Sequence, residues 1–146
     1  MMLIRDFVDE HERALDHCDR ALRAADSGDF DTAHAQLALM TELLLAHWQG
    51  EEQGLFAVMS REQEYADYIA PLVAEHRELE AFLRRADLSD PADRARLRQE
   101  EADLVEHISR EEDGLFPASL VMLTGEEWDR AADAWRAAHP GQELQV

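Results

Sequence analysis

The stretch HWQGEEQGLF occupies residues 47–56, and HISREEDGLF occupies residues 107–116, sixty positions later. A histidine, two glutamates, a glycine, a leucine and a phenylalanine recur in register, whereas the residues between them differ. In both copies a glutamate follows the histidine by four positions, which places both side chains on one face of an α-helix, about 6 Å apart along its axis. The repeat therefore predicts two related helices, each carrying a histidine and a carboxylate on the same face.

Hydrophobic periodicity around the two blocks predicts four long helices. Apolar residues recur at steps of three and four along four segments, and no segment alternates with a period of two. Four long helices joined by short connections favour an antiparallel up-down-up-down four-helix bundle, followed here by a short extra C-terminal helix. We predict an all-α fold in which residues 1–120 form the bundle and residues 121–146 form a C-terminal helix and tail packed on it.

Capping and proline signals mark the expected helix boundaries. Asp29 and Asp90 are predicted N-caps, and the stretch TGEE at residues 124–127 fits a capping box at the start of the C-terminal helix. Proline lacks a backbone N–H, so it is best tolerated in the first turn of a helix. We therefore expect Pro71 near the start of the third helix and Pro117 at the end of the fourth.

Charge and composition exclude several classes of function. The 146 residues carry a net charge of −19, which argues against binding to nucleic acid or to an anionic membrane surface. All 14 lysine-plus-arginine positions are arginine, so no lysine is present for Schiff-base chemistry. No apolar run approaches the roughly 20 residues of a membrane span. A single cysteine permits no internal disulfide, and we expect a cytoplasmic protein.

One histidine in each predicted helix falls on a buried stripe. His11 and His76 lie centrally in stripes that are otherwise apolar, and each repeated block adds a histidine and a glutamate. A lone buried histidine or a single His–Glu pair is commonly a packing or surface feature, but two copies in register with two further histidines favour one shared site. Burying these polar groups unpaired would cost roughly 2–7 kcal/mol each, and a metal ion removes that cost. The predicted ligands are His11, His47, Glu51, His76, His107 and Glu111.

The ligand types narrow the choice of metal. Imidazole and carboxylate without thiolate suit iron, manganese or zinc. Glutamates that can bridge, together with histidines on all four helices, favour a dinuclear centre over a single ion. The ferritin-like arrangement requires Glu-x-x-His on two helices, whereas Leu44 and Leu104 stand three positions before the histidines of the two blocks. The chain therefore does not follow the ferritin-like pattern.

These six residues resemble the hemerythrin family, in its bacterial HHE cation-binding branch. The resemblance covers residues 3 to about 118 and includes the LFP motif at the end of the second block. It implies a non-haem diiron centre in which Glu51 and Glu111 bridge the two irons, together with an oxo or hydroxo bridge. Members of the family bind dioxygen, sense oxygen or redox state, repair nitrosative damage or act on peroxide. The resemblance thus implies O2, peroxide or NO as the small ligand.

Two positions differ from the oxygen-carrying hemerythrins. The carriers have a fifth histidine four positions before the equivalent of His76, where this chain has Leu72. They also place the second carboxylate five positions after its histidine, at Glu112 here, but helix geometry sets Glu111 only about 40° from His107 and Glu112 about 140° away. The missing histidine leaves metal positions open. It favours a diiron oxidoreductase over a carrier, with a non-catalytic protein that binds or senses O2, NO or iron as the alternative.

Several side chains near the stripes have roles that the sequence leaves open. Cys18 is expected to pack in the core. Trp128 and Trp135, seven positions apart, are expected to anchor the C-terminal helix on the bundle or in a dimer contact, so a monomer and a homodimer are both compatible with the sequence. Three further candidate ligands are Tyr68, Glu80 and Glu112. The histidines outside the stripes are expected to face solvent, and they are His17, His34 and His139.

Overall fold

A computed structural model of the chain describes residues 2–144, and every regular element in that range is helical. The predicted all-α fold is confirmed, with no strand among the described residues, and none of the helices there has the length and apolar character needed to cross a membrane. Met1 and the last two residues of the predicted tail, Gln145 and Val146, lie outside the described range. The helices are α1 (Met2–Asp26), α2 (Phe30–Gly50), α3 (Phe56–Met59), α4 (Gln63–Arg85), α5 (Pro91–Arg110), α6 (Phe116–Met122) and α7 (Gly125–Ala138).

Four helical columns form the bundle: α1, α2 continued by α3, α4, and α5 continued by α6. Short turns at residues 27–29, 60–62 and 86–90 join successive columns, so neighbouring columns run antiparallel. α1 packs against α2 and α5, and α4 packs against the same two helices, which closes the ring. Asp29 and Asp90 each accept a hydrogen bond from a backbone N–H in the first turn of the following helix, which confirms both predicted N-caps.

A π-helical turn interrupts the second and the fourth column at the repeated block. The two turns span Glu51–Leu55 and Glu111–Leu115, and each leads directly into a further α-helical segment. The N–H of the phenylalanine that follows, Phe56 or Phe116, bonds to the carbonyl of the first glutamate, five positions earlier. Single turns of this kind occur inside α-helices, frequently at functional sites. The repeat in the sequence is thus also a repeat of backbone conformation.

The structure corrects both expectations about proline. α4 already begins at Gln63, so Pro71 lies inside the helix. The residues at the start of α4 are mostly exposed, so they form no apolar stripe from which that start could be inferred. Pro117 does not end the fourth column, because the helix restarts at Phe116 after the π-helical turn. Pro117 then stands in a first turn, where its missing N–H is tolerated.

The apolar core consists of two clusters, and the predicted ligands lie between them along each column. On α1, Phe7 belongs to one cluster and Ala14 to the other, and His11 stands between the two. The loop-end cluster, near the turns at residues 27–29 and 86–90, includes Ala14, Cys18, Leu37, Met40, Phe82 and Leu97. The α7 cluster, at the other end, includes Leu3, Phe7, Leu55, Leu72, Phe116 and Trp135. Cys18 is fully buried, as expected for a packing residue.

α7 packs across the end of α2 and the first π-helical turn, and it also touches α1. Thr124 and Glu127 form the predicted capping box at its start. Trp135 is buried in the α7 cluster, and Trp128 is partly buried against that cluster. Arg61, in the turn before α4, pairs with the nearly buried Glu127. The two tryptophans therefore anchor α7 on the bundle.

Candidate metal centre

The six predicted ligands are buried together between the two apolar clusters, and none exposes more than 4 % of its surface. Their donor atoms form two groups, and within each group all donors lie within 4.8 Å of one another, close enough to hold a metal ion. The first group is His11, His47, Glu51 and Glu111, and the second is His76, His107 and Glu111. Each of the four columns contributes one histidine, and the second and fourth contribute the glutamates as well.

Each glutamate lies between histidines of different column pairs. Glu111 places one carboxylate oxygen 3.2 Å from Nε2 of His11 on α1 and the other 2.6 Å from Nε2 of His107 on α5. A single oxygen of Glu51 lies between α2 and α4: its Oε1 is 3.2 Å from Nε2 of His47 and 3.6 Å from Nε2 of His76. Both carboxylates therefore stand where a ligand shared by two ions would stand.

A second set of glutamates holds the outer nitrogens of the four histidines. The Nδ1 atom of each histidine lies within 3.0 Å of a carboxylate oxygen. An ionised carboxylate can only accept a hydrogen bond, so the proton is on Nδ1 and Nδ1–H is the donor. The four pairs are His47 with Glu10 at 3.0 Å, His107 with Glu75 at 3.0 Å, His76 with Glu52 at 2.7 Å and His11 with Glu112 at 2.6 Å. Such outer carboxylates fix the tautomer and the orientation of metal-binding imidazoles.

Three of these outer carboxylates, Glu10, Glu52 and Glu75, are not identified by the sequence analysis. A signal for them is nevertheless visible, because Glu10 directly precedes His11, Glu75 directly precedes His76, and a second glutamate directly follows the first in both repeated blocks. Glu112, a candidate ligand on sequence grounds, is directed to Nδ1 of His11 instead of the shared centre. The second glutamate of each block thus supports a histidine from another column.

The inner nitrogens present lone pairs that need a positive partner. With Nδ1 protonated, a neutral imidazole has a lone pair at Nε2. Nε2 of His76 and Nε2 of His107 lie 3.0 Å apart, so two lone pairs face each other. Nε2 of His47 and all four carboxylate oxygens of Glu51 and Glu111 are buried and have no hydrogen-bond partner among residues 2–144. Orphaned buried acceptors are costly, and a metal cation would satisfy them, so these residues fit a bound metal.

The charges of the two inner glutamates also favour a cation. Burial raises the pKa of Glu51 well above its ordinary value, and the neighbouring Glu111 carboxylate raises it further. Burial opposes ionisation of Glu111 as well, but the close approach of Glu51 and of three histidines outweighs burial and lowers the pKa of Glu111. Burial and mutual repulsion therefore oppose two uncompensated negative charges here. A divalent ion held between the two carboxylates would neutralise both groups.

Aromatic side chains from the blocks pack on the histidines. The ring of Phe56 stacks on His76 at a centroid distance of 6.0 Å, and the ring of Phe116 stacks on His11 at 6.1 Å. The ring of Trp48 also stacks on His76, with ring centroids 4.9 Å apart. This packing explains why phenylalanine recurs at the end of each block, since it restricts the imidazole that faces the centre.

Two of the other candidate ligands do not reach the centre. The hydroxyl of Tyr68 donates to the carbonyl of Arg110 at 2.8 Å, and the carboxylate of Glu80 accepts hydrogen bonds from two arginines of α4. Leu72, at the position of the fifth histidine of the carriers, is fully buried in the α7 cluster. Apart from the shared glutamates, the described residues near His76 therefore supply no imidazole or carboxylate that could replace the missing histidine.

A cleft approaches the centre between α4 and α5. It has a volume of about 670 Å3 and reaches His76 and His107. Apolar and charged side chains line it, among them Trp48, Leu79, Leu104, Glu75, Arg96 and Arg110. On the side of His47, by contrast, α7 packs over the centre and its outer carboxylate Glu10. The two halves of the centre are thus alike in their donors and different in their surroundings.

His139 is buried, which contradicts the expectation that it faces solvent. Its Nδ1–H donates to the carbonyl of Trp135 at 2.6 Å, and its Nε2 lies 2.5 Å from Oε2 of Glu10. Burial acts to raise the pKa of Glu10, but hydrogen bonds from His139 and His47 lower it to about 2. His139 therefore joins the backbone at the end of α7 to the outer carboxylate of His47. The other two histidines expected in solvent are partly exposed, and they are His17 and His34.

A comparison with protein-family models agrees with this geometry. The model described as the hemerythrin HHE cation binding domain matches residues 2–119. No curated protein and no solved structure matches the chain in the corresponding comparisons. The matched segment runs from α1 into α6 and contains all six residues of the buried centre, while α7 lies beyond it. The protein is therefore a metal-binding domain that belongs to the hemerythrin HHE cation-binding family.

Proposed function

We propose that the protein is a non-haem diiron protein, with one iron at the α1–α2 histidines, the other at the α4–α5 histidines, and both shared by the two inner glutamates. The position of Glu51 and Glu111 carries this proposal, since each lies within 3.6 Å of histidines from both column pairs. A single ion would leave part of the donor set unsatisfied in the core. The proposed ligands are His11, His47, Glu51, His76, His107 and Glu111.

The donor chemistry supports iron. Four imidazole nitrogens and two carboxylates without a thiolate suit iron, manganese or zinc, and the resemblance to hemerythrins favours iron among these. Each imidazole has its outer Nδ1–H held by a carboxylate, which raises the basicity of the inner nitrogen and fixes its direction. The protein would thus offer two preformed pairs of imidazoles on either side of two shared carboxylates.

When bound, a pair of irons supplies redox chemistry with dioxygen or peroxide. We favour oxidase- or peroxide-type chemistry over reversible oxygen carriage, because Leu72 stands where the carriers have an additional imidazole. The cleft that reaches His76 and His107 gives a small ligand such as O2, peroxide or NO a route to this half of the centre. The aromatic rings and outer carboxylates around the centre hold the imidazoles in place.

Anaerobic titration of the metal-free protein with Fe(II) tests the diiron proposal. We expect two irons per chain and, after oxidation, new absorption in the near ultraviolet. Isothermal calorimetry and elemental analysis of the desalted protein would give the stoichiometry independently. A protein that holds one tightly bound zinc and takes up no iron in the metal-free form would refute the proposal.

The reaction with air separates an enzyme from a carrier or sensor. We expect the reduced, iron-loaded protein to oxidise irreversibly within minutes and the oxidised protein to turn over peroxide at a measurable rate. Stopped-flow absorption and an oxygen electrode would follow the two reactions. If the reduced protein takes up O2 and returns it under vacuum, it is a non-catalytic oxygen-binding or sensing protein instead.

A further inference from the structure

Glu10 is held from two directions, by the histidine that it supports and by α7. Its Oε1 accepts from Nδ1–H of His47 at 3.0 Å and from Nε1–H of Trp135 at 3.3 Å, while its Oε2 lies 2.5 Å from Nε2 of His139. Glu10, Trp135 and His139 are all buried. The two α7-end side chains stack on each other with ring centroids 3.9 Å apart and an interplanar angle of 11°. A continuous buried contact therefore links the C-terminal end of α7 to His47.

The equivalent carboxylate in the second half of the chain lacks this support. Glu75 accepts from Nδ1–H of His107 at 3.0 Å, just as Glu10 does for His47. Its other partner is Arg110, and its side chain is 35 % exposed at the edge of the cleft. The sequence repeat thus produces the same His–Glu pair twice, but only the first pair is enclosed by protein on all its polar atoms.

We propose that His139 and Trp135 are positioning residues that hold Glu10 against His47 and thereby strengthen metal binding in the His11/His47 half of the centre. The proposal rests on the proposed function, because it requires two metal ions. It also assigns a role to α7, which lies outside the segment that matches the family model. The contact with α7 thereby makes metal binding unequal in the two otherwise similar halves of the centre.

The physical basis is the cost of a buried carboxylate oxygen without a donor. Without His139, Oε2 of Glu10 would have no hydrogen-bond partner within the described part of the chain, and a buried unpaired acceptor of a charged group is strongly unfavourable. Glu10 would then rotate to find another donor, and Nδ1–H of His47 would lose its acceptor. Loss of such an outer partner typically lowers metal affinity by roughly 10–100-fold. Trp135 contributes a weaker hydrogen bond and the flat surface on which the His139 ring rests.

The close approach of α7 supports a dedicated contact. A Cβ on Gly50 would lie 3.4 Å from Cα of Trp135 and 3.6 Å from a ring atom of His139. A Cβ on Gly54 would lie 2.9 Å from Cβ of Ala134. Glycines on the facing turns of α2 and its π-helical continuation therefore let the backbone of α7 come near enough for its side chains to reach Glu10.

Anaerobic titration of the metal-free protein with Co(II), followed by its visible absorption, tests the proposal without any turnover. We expect two binding events in the unmodified protein. His139→Gln should weaken one of them by roughly 10–100-fold and leave the other unchanged, whereas Glu75→Gln should weaken the other event. His34→Gln is the matched control, because that imidazole is partly exposed and distant from the centre, and both affinities should stay unchanged.

A double substitution shows whether His139 acts through Glu10. We expect His139→Gln to add little further loss of Co(II) affinity in a Glu10→Gln background, since the carboxylate that it holds is then absent. A purely structural role for His139 would instead weaken both binding events equally, or weaken neither. Either of these two results would overturn the proposal.

Trp135→Phe covers the case in which His139→Gln does not fold. It keeps an aromatic ring against His139 and removes only the N–H donor to Glu10, and we expect a several-fold loss in the same single event. Two unchanged affinities in a folded Trp135→Phe protein would then count against the proposal.

If the unmodified protein binds fewer than two Co(II) ions, the diiron proposal itself fails. Two ions with no effect of the α7 substitutions would overturn only the present inference.

Discussion

Adjacent glutamates in each block have different partners because neighbouring helix positions point about 100° apart. Glu51 faces the centre, while Glu52 reaches Nδ1 of His76. In the second block Glu111 likewise faces the centre, and Glu112 reaches a histidine of α1. The inner residue can serve two ions, whereas the outer one orients a single imidazole. Substitutions at the two positions should therefore change different quantities, the number of ions held and the affinity for one of them.

Removing a shared ligand should cost both ions. We expect Glu51→Ala to lose both irons, because its carboxylate lies near histidines of both column pairs, whereas His11→Ala should keep one iron partly occupied. The iron content of the folded protein, measured after anaerobic loading and desalting, distinguishes the two variants. Glu80→Ala is the control with two irons, since that carboxylate pairs with surface arginines. Equal iron loss from Glu51→Ala and His11→Ala would argue against bridging.

Adding an imidazole at Leu72 should slow the loss of the reduced state. Leu72 is fully buried one helical turn before His76, so Leu72→His places a new donor on the side of the second group. We expect the reduced, iron-loaded variant to survive longer in air than the native protein, because a better-filled coordination sphere leaves fewer open positions. Leu72→Met keeps the apolar volume and should behave like the native protein. An unchanged or shorter lifetime in Leu72→His would contradict the open-site interpretation.

Among the helices, the two π-helical turns explain the glycine of the repeat. A Cβ on Gly54 would lie 3.0 Å from the carbonyl oxygen of Ala131 and still closer to Cβ of Ala134, both in α7. A Cβ on Gly114 would lie 2.6 Å from the hydroxyl of Tyr68. Neither glycine has a positive φ. Close approach of a neighbouring element, and not backbone freedom, therefore favours glycine at both positions.

The two glycines should differ in their tolerance of alanine. Gly54→Ala forces the backbone of α7 to move, so we expect the free energy of unfolding to fall by about 1–3 kcal/mol. Gly114→Ala meets only the end of a side chain that is 40 % exposed and can turn away. The gain in helix propensity of about 0.5–1 kcal/mol should offset most of that clash. Urea unfolding of the metal-free proteins compares the two, and equal losses would show that α7 adapts freely.

Periodicity predicts the four columns and the six inner residues, because each column buries one stripe and the site lies on those stripes. It does not predict the π-helical turns, since their residues also suit an ordinary α-helix. The outer glutamates are not predicted for another reason. The chain has 33 acidic residues, and which of them contacts a given histidine depends on the packing between columns. His139 follows the last turn of α7, outside any stripe, so its burial is a tertiary effect.

At the scale of the whole bundle, two electrostatic effects destabilise the folded state. The polar centre lies between the loop-end cluster and the α7 cluster. Five acceptor atoms of His47, Glu51 and Glu111 have no hydrogen-bond partner among the residues that the structure describes. The chain also carries a net charge of −19, and self-repulsion at this charge opposes the compact state. Bound metal ions would satisfy the buried acceptor atoms, whereas a simple salt would screen the repulsion between the surface charges.

Metal removal should therefore lower the unfolding temperature beyond any effect of salt. A ligand that binds only the folded chain stabilises it by about 2.7 kcal/mol at a free concentration a hundredfold above its dissociation constant. For a chain of this size each kcal/mol corresponds to roughly 2–4 °C. Each bound ion should thus raise the unfolding temperature by about 5–10 °C. Anaerobic calorimetry of the metal-free and Fe(II)-loaded proteins at one fixed ionic strength measures the difference.

Two further melting curves separate the metal effect from screening. Raising the concentration of a monovalent salt should stabilise the metal-free and the loaded protein alike, because both carry the same excess of surface carboxylates. Glu51→Ala should respond to salt in the same way but show no shift with Fe(II), since it lacks the shared ligand. If Fe(II) raises the unfolding temperature of Glu51→Ala as much as that of the native protein, the stabilising ions bind to surface carboxylates. The buried donors between the two apolar clusters would then not be the site of metal binding.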